Sequence, residues 1–144
     1  MSSSKILIPV DGSPASLRAL DFAVQRLVRG EGDLLVLLYV QNLGSADIAN
    51  FSAAIPDFIS DAGSQASTVA LRDAIGKCEG SGIAFKSIAR TGPIAGTISE
   101  VAREESVGQI VMGTRGLGGI QGLLLGSVAT QVIHLAEVPI TLIK

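Results

Sequence analysis

Lys5-Ile6-Leu7-Ile8-Pro9-Val10-Asp11-Gly12-Ser13-Pro14 holds the end of one element and the start of another. From Lys5 to Val10 the chain is a short apolar run, as a strand buried on both faces requires. Ser13 suits a helix N-cap, and the fixed φ of Pro14 suits the first helical position. Leu17, Leu20, Ala23, Val24, Leu27 and Val28 then recur at helical spacing and predict one buried stripe. Gly30-Glu31-Gly32-Asp33 breaks that helix, and Leu34 to Val40 forms a second continuously apolar strand. Two such strands joined by an amphipathic helix make a parallel βαβ unit, since parallel strands need a long crossover.

The same alternation continues downstream. From Gln41 to about Ser64 the pattern lapses into a long loop around Pro56, of the length used for lids or partner contacts. A helix with Ser67, Leu71, Ala74, Ile75 and Cys78 on one side follows, stopped by Gly80-Ser81-Gly82. Ile83 to Arg90 alternates in part, as a strand towards the sheet edge does. Gly92-Pro93 opens a third helix with the stripe Ile94, Ile98, Val101 and Ala102, and Gln109 to Met112 is the fourth strand. Gly126-Ser127 starts a fourth helix, with Val128, Ala129, Val132, Ile133 and Ala136 expected inward, and Val138 to Ile143 is the last strand. The fold class is therefore α/β, with a five-stranded parallel sheet covered by helices on both faces. A flavodoxin-like order is one arrangement; a Rossmann-like order with the first strand central fits better. Either way, a ligand belongs beyond the carboxyl ends of the strands.

Composition narrows the function classes. The 144 residues suit one domain spanning 1–144. Eleven Lys+Arg against thirteen Asp+Glu leave a net charge of -2, which disfavours a nucleic-acid binder. Aromatic residues are 3% of the chain, too few for stacking platforms. One cysteine, Cys78, excludes an internal disulfide and a thiolate metal cluster, and it is expected in the core. No run reaches the roughly 18 apolar residues of a membrane span. The lone Lys5 and the interruption at Pro9 and Asp11 are unlike a signal peptide, so a cytoplasmic protein is expected.

Seven glycines lie between Gly108 and Gly126, most of them in the loop that leaves the fourth strand. A glycine-rich loop entering a helix presents bare amides and the positive end of a dipole to an anion. Ser127 can add a hydroxyl, and Arg115 is a candidate side-chain helper. The P-loop pattern is absent because no Lys precedes Ser127, and Gln121 stands where a dinucleotide fingerprint needs its third glycine. Glycine-rich loops are more often turns that need positive φ than anion sites, and that reading stands beside this one. Asp11, likewise, serves as a turn-forming residue ahead of the first helix.

Gly113-x2-Gly116-x9-Gly126-Ser127 resembles the signature of the nucleotide-binding universal stress proteins. Pro9-Val10-Asp11-Gly12-Ser13 is similar to that family's first strand end, and Glu137 to Ile143 to its last strand. The resemblance covers essentially the whole chain and implies the fold of the adenine nucleotide alpha hydrolases. It implies a site for ATP or AMP in which Pro9, Val10 and Asp11 lie near the ribose. Asp11 would also reach the phosphates through water or a Mg2+ ion. The main chain of Val40 would meet adenine. Met112 and Gly113 would approach the ribose and phosphates, Gly116, Gly126 and Ser127 would cradle the phosphates, and Val128 and Ala129 would add amides. The resemblance further implies a homodimer paired through Val138 to Ile143.

Catalysis has little to draw on. His134 is expected at the surface or in an interface, and Glu104-Glu105 to be solvated at a helix end. Asp11 is the one carboxylate placed beside a triphosphate, so ATP hydrolysis is expected to be slow at most. The function expected is nucleotide-dependent regulation of partners, set against a nucleotide-free interaction protein of the same fold or a slow ATP hydrolase using Asp11.

Overall fold

Strands that are apolar without interruption have to be covered on both sides, and the arrangement of the chain follows from that need. The computed structural model describes residues 4–41, 69, 71–114 and 125–144. In order these form β1 (Lys5–Pro9), α1 (Pro14–Val28), β2 (Leu34–Gln41), helical residues 71–81 (α2), β3 (Phe85–Thr91), α3 (Ile94–Glu104), β4 (Gln109–Gly113), α4 (Ser127–Leu135) and β5 (Ile140–Ile143). The sheet is parallel throughout with the order β3-β2-β1-β4-β5, so β1 is central as expected.

Successive side chains of a strand point to opposite faces, and here each face has its own helices. Ile6, Ile8, Leu35, Leu37 and Val111 pack with Leu20, Ala23, Val24 and Leu27 of α1 and with Ala74 and Cys78 of α2. Leu7, Val36, Leu38, Ile110 and Met112 pack with Ile98, Val101 and Ala102 of α3 and with Ala129 and Val132 of α4. Each fully buried Leu or Ile contributes about 1.5–3 kcal/mol relative to exposure.

The helical stripes differ from expectation at their margins. Val28 is 62% exposed and Ile133 43% exposed: each follows a core residue, Leu27 and Val132, and the helical turn of about 100° per residue swings it out of the buried stripe. The strand bounds also shift: β2 extends to Gln41, β3 occupies Phe85–Thr91, and β5 begins at Ile140 rather than Val138. Pro139 has no N–H for the ladder, and its carbonyl accepts from Ile110 (3.0 Å) just ahead of the strand. The loop expected over Gln41–Ser64 lies outside the described residues apart from Gln41 itself.

Glu104 and Glu105 form ion pairs at the end of α3. Arg90 Nη2 lies 2.8 Å from Glu104 Oε2, and Lys86 Nζ lies 2.8 Å from Glu105 Oε2. Together they fasten the edge strand β3 to the helix that covers it.

Two glycines show where a side chain is excluded. A Cβ on Gly113 would stand 2.8 Å from the Ala15 carbonyl carbon and 2.8 Å from its Cβ, so the end of β4 meets the first turn of α1 with no room between. Gly92 has φ +155, and a Cβ there would meet Thr97 Oγ1 at 2.9 Å.

Gly113→Val should therefore cost about 1–3 kcal/mol of stability in a denaturant titration, whether or not a ligand is added; an unchanged midpoint would contradict the contact. Burial, with a smaller push from Glu79, raises the Cys78 thiol to about 11. Cys78 should accordingly react with a thiol reagent at neutral pH only as fast as the protein unfolds; prompt labelling of the native protein would show the packing to be wrong. The hydrogen bond from Arg90, helped by its charge, lowers the carboxyl of Glu104 below its usual range. Its contribution is thus present above the ordinary glutamate value and lost as pH falls through the lowered folded value. In acid titrations followed by circular dichroism, Glu104→Gln should remove a small part of the acid slope and leave the rest of the profile unchanged.

Candidate functional site

The chain crosses from β3 on one side of β1 to β4 on the other, which places the topological switch between β1 and β4. The register shows the strands separating there. β1 follows β2 as far as Pro9↔Leu38, whereas its pairing with β4 ends at Leu7↔Ile110. Beyond Leu7 and Ile110 the carboxyl ends of β1 and β4 are no longer paired, at the position where a ligand of such a sheet belongs.

Asp11 and Gly12 turn the chain out of β1. Asp11 Oδ1 accepts from the Ser13 N–H at 2.8 Å, which is the Asx turn open to this residue in the sequence. Ser13 Oγ accepts from the Ser16 N–H at 3.2 Å and caps α1, and Gly12 adopts φ +83. The start of α1 therefore carries its own acceptor and a carboxylate nearby, a poor seat for an anion.

The start of α4 is different. Its N-cap is Gly126, with φ -72 and ψ 162, and no side chain caps the helix. The first-turn amides of Ser127, Val128 and Ala129 have no acceptor within the helix. Below them, the Gly126 N–H donates to the Thr114 carbonyl at 2.6 Å, bringing the two ends of the glycine-rich connection together. Ser127 is exposed, Val128 half-buried, and Ala129 buried against α3 and the sheet. A bare N-cap beside those strand ends supplies the donors and the dipole that hold a phosphate or carboxylate.

At the end of β2, main-chain groups are left over. The Gly92 N–H donates to Gln41 O (2.9 Å) and the Val10 N–H to Leu38 O (2.8 Å). Main-chain groups alternate between the two sides of a strand, so the N–H and C=O of Val40 face the β1 side, past the last paired residue of β1. Among the described residues neither meets a main-chain partner there. A donor and an acceptor presented together suit the edge of a nucleobase.

Of the residues singled out in the sequence, Pro9, Val10 and Asp11 end β1, Val40 lies at the end of β2, and Met112 and Gly113 end β4. Gly126, Ser127, Val128 and Ala129 open α4. All stand at one end of the sheet. Arg115 and Gly116 lie outside the described residues. Val10 and Met112 are 3% and 5% exposed, so each reaches the site by its main chain rather than its side chain. The bare Cα of Gly113 is explained by its contact with Ala15. Thr114 was not legible as part of the site: it fills a variable position of the motif, and its role rests on main-chain bonds that its residue type does not announce. Among the described residues no three His, Cys, Asp or Glu gather as metal ligands, and His134 is exposed on α4. Among the described residues no helix is long and apolar enough to cross a membrane.

The chain matches the model of the universal stress protein family over residues 3–144. It is 30% identical over 145 residues to the universal stress protein MJ0531 of Methanocaldococcus jannaschii, covering 97% of this chain and 81% of that one. It is 28% identical over 150 residues to the universal stress protein YxiE of Bacillus subtilis, covering 98% and 99%. Among solved structures, the universal stress protein UspA from Lactobacillus plantarum superposes with a TM-score of 0.82 at 24% identity, covering 100% of this chain and 99% of that chain. A universal stress protein in complex with cAMP gives 0.73 at 24% identity, with coverage of 100% and 99%. A family member from Arabidopsis thaliana with AMP bound gives 0.66 at 22% identity, with coverage of 98% and 91%. At those identities the structures speak for the fold, and the family model speaks for descent. The chain belongs to the universal stress protein family.

Proposed function

We propose that this protein binds an adenine nucleotide, ATP or AMP, at the unpaired carboxyl ends of β1 and β4 and uses its occupancy to regulate partner proteins in the cytoplasm. The observation that carries the reading is the bare N-cap at Gly126, held beside the strand ends by its hydrogen bond to Thr114. Phosphate oxygens accept from the amides of Ser127, Val128 and Ala129, with the Ser127 hydroxyl and the Arg115–Gly116 segment adding contacts. The base lies against the N–H and C=O of Val40, between aliphatic neighbours. Pro9, Val10, Met112 and Gly113 border the ribose. Asp11 would be the one carboxylate to hold a Mg2+ ion, which would offset phosphate charge and is content with few protein ligands. Nucleotides in the complexes of two structural neighbours support the same reading.

A homodimer through β5 belongs to this proposal. Pro139, Thr141 and Ile143 bond towards β4, which leaves the main-chain groups of Ile140 and Leu142 on the outer edge. Val138 is half-buried beside them, and Ile133 and Leu135 of α4 are 43% and 48% exposed close by in sequence. An apolar edge of this kind is normally covered.

Denatured, purified protein should release ATP or AMP detectable by mass spectrometry, and stripped protein should bind either in a calorimetric titration. Empty protein that gives no heat with both would end the proposal. Gly126→Asp separates site from fold, because the N-cap geometry is one that Asp favours. The variant should melt no lower than wild type, yet bind nucleotide at least about tenfold more weakly, since its carboxylate competes for the same amides (about 1.5–3 kcal/mol for a charged hydrogen bond).

A further inference from the structure

Thr114 is bonded on both sides through its main chain. Its carbonyl accepts from the Gly126 N–H at 2.6 Å, and its own N–H donates to the Ile143 carbonyl at 2.9 Å. One residue, through its carbonyl and its N–H, thus joins the N-cap of α4 to the last residue of β5. The other attachments of β5 are its ladder to β4, the packing of Ile140 and Leu142 on one core and of Ile143 on the other, and one bond beyond its end. It has four residues, all half-buried, paired with β4 from Ile110↔Ile140 to Gly113↔Ile143, and beyond it Arg18 Nε donates to Lys144 O at 2.6 Å. A short edge strand with partial burial sits at the low end of local stability, where small added interactions change its opening most. The other edge strand, β3, has seven residues, is paired to β2 along its whole length, and is clamped by Glu104 and Glu105. Among the described residues no hydrogen bond connects β3 to the start of α4.

We propose that nucleotide bound at the start of α4 is linked through Thr114 to β5, so that occupancy holds β5 in place and tightens the pairing of two copies along its outer edge. The inference rests on the nucleotide site and the β5 dimer proposed above and adds the coupling between them. An anion on the amides of Ser127, Val128 and Ala129 fixes the first turn of α4. That turn holds Thr114 through Gly126, and Thr114 holds Ile143. The linkage is reciprocal: the factor by which nucleotide tightens the dimer is the factor by which dimerisation tightens nucleotide.

The test is hydrogen exchange on the full-length protein with and without saturating ATP, at a concentration where monomer dominates, followed by sedimentation at rising concentration. Saturation is verified by calorimetry. The peptide spanning residues 138–144 should exchange at least about fivefold more slowly with ATP, while 83–92 is unchanged, and the dimer constant should fall by at least a similar factor. If ATP binds but 138–144 responds no more than 83–92, or if the dimer constant does not move, the coupling is wrong and the nucleotide reading stands. Absence of a dimer at any concentration also overturns the coupling. If ATP does not bind, the reading itself fails and takes the coupling with it.

Discussion

A central first strand forces the connections on its two sides onto opposite faces of the sheet. In this chain β1 is followed by α1 on one face, and the return from β3 passes through α3 on the other. Each neighbour of β1 therefore leaves it at a different height, β4 first and β2 later. The unpaired ends of β1 and β4 are the geometric remainder of that choice, and the groups gathered around them are mainly main-chain groups at the ends of strands and at the head of α4.

This division of labour explains why the site is so poor in functional side chains. In the proposed site Val40 would offer a main-chain donor and acceptor and α4 its first-turn amides, while Thr114 uses its carbonyl and N–H to hold the neighbouring segments together. Main-chain recognition is insensitive to side-chain identity as long as the backbone path is kept. What must be kept is the path, and Gly113 and Gly126 keep it in different ways. The first allows β4 and α1 to touch at Ala15. The second leaves the helix start without a competing acceptor.

The same distinction sets how much could be learned from residues alone. The strands were legible because Ile6, Leu7, Ile8 and Leu35 to Leu38 are apolar on both faces, a pattern that burial alone produces. The N-cap at Ser13 and the order with β1 central were legible for similar reasons, since local chemistry and crossover handedness leave few alternatives. The width of the helical stripes was less so: Val28 and Ile133 lie at their margin, beside the buried Leu27 and Val132, and periodicity does not record how far round a helix its neighbours reach. The reason for Gly113 was hidden as well, because contact with Ala15 joins positions far apart in the chain. Glu104 and Glu105 looked solvated because Arg90 and Lys86, their partners, become neighbours only when β3 lies beside α3.

The two margins of the sheet are unlike. Along β3 the side chains include Lys86 and Arg90, each already committed to a carboxylate, whereas Ile140 to Ile143 contains no charge. A strand arriving from another molecule is discouraged at the first margin and accommodated at the second. Association through like margins of two copies uses up the receptive side of both, and the outward-facing sides are then the guarded ones. Such an arrangement ends at a closed pair instead of propagating as a fibre, a built-in limit on growth for a chain this rich in apolar strands.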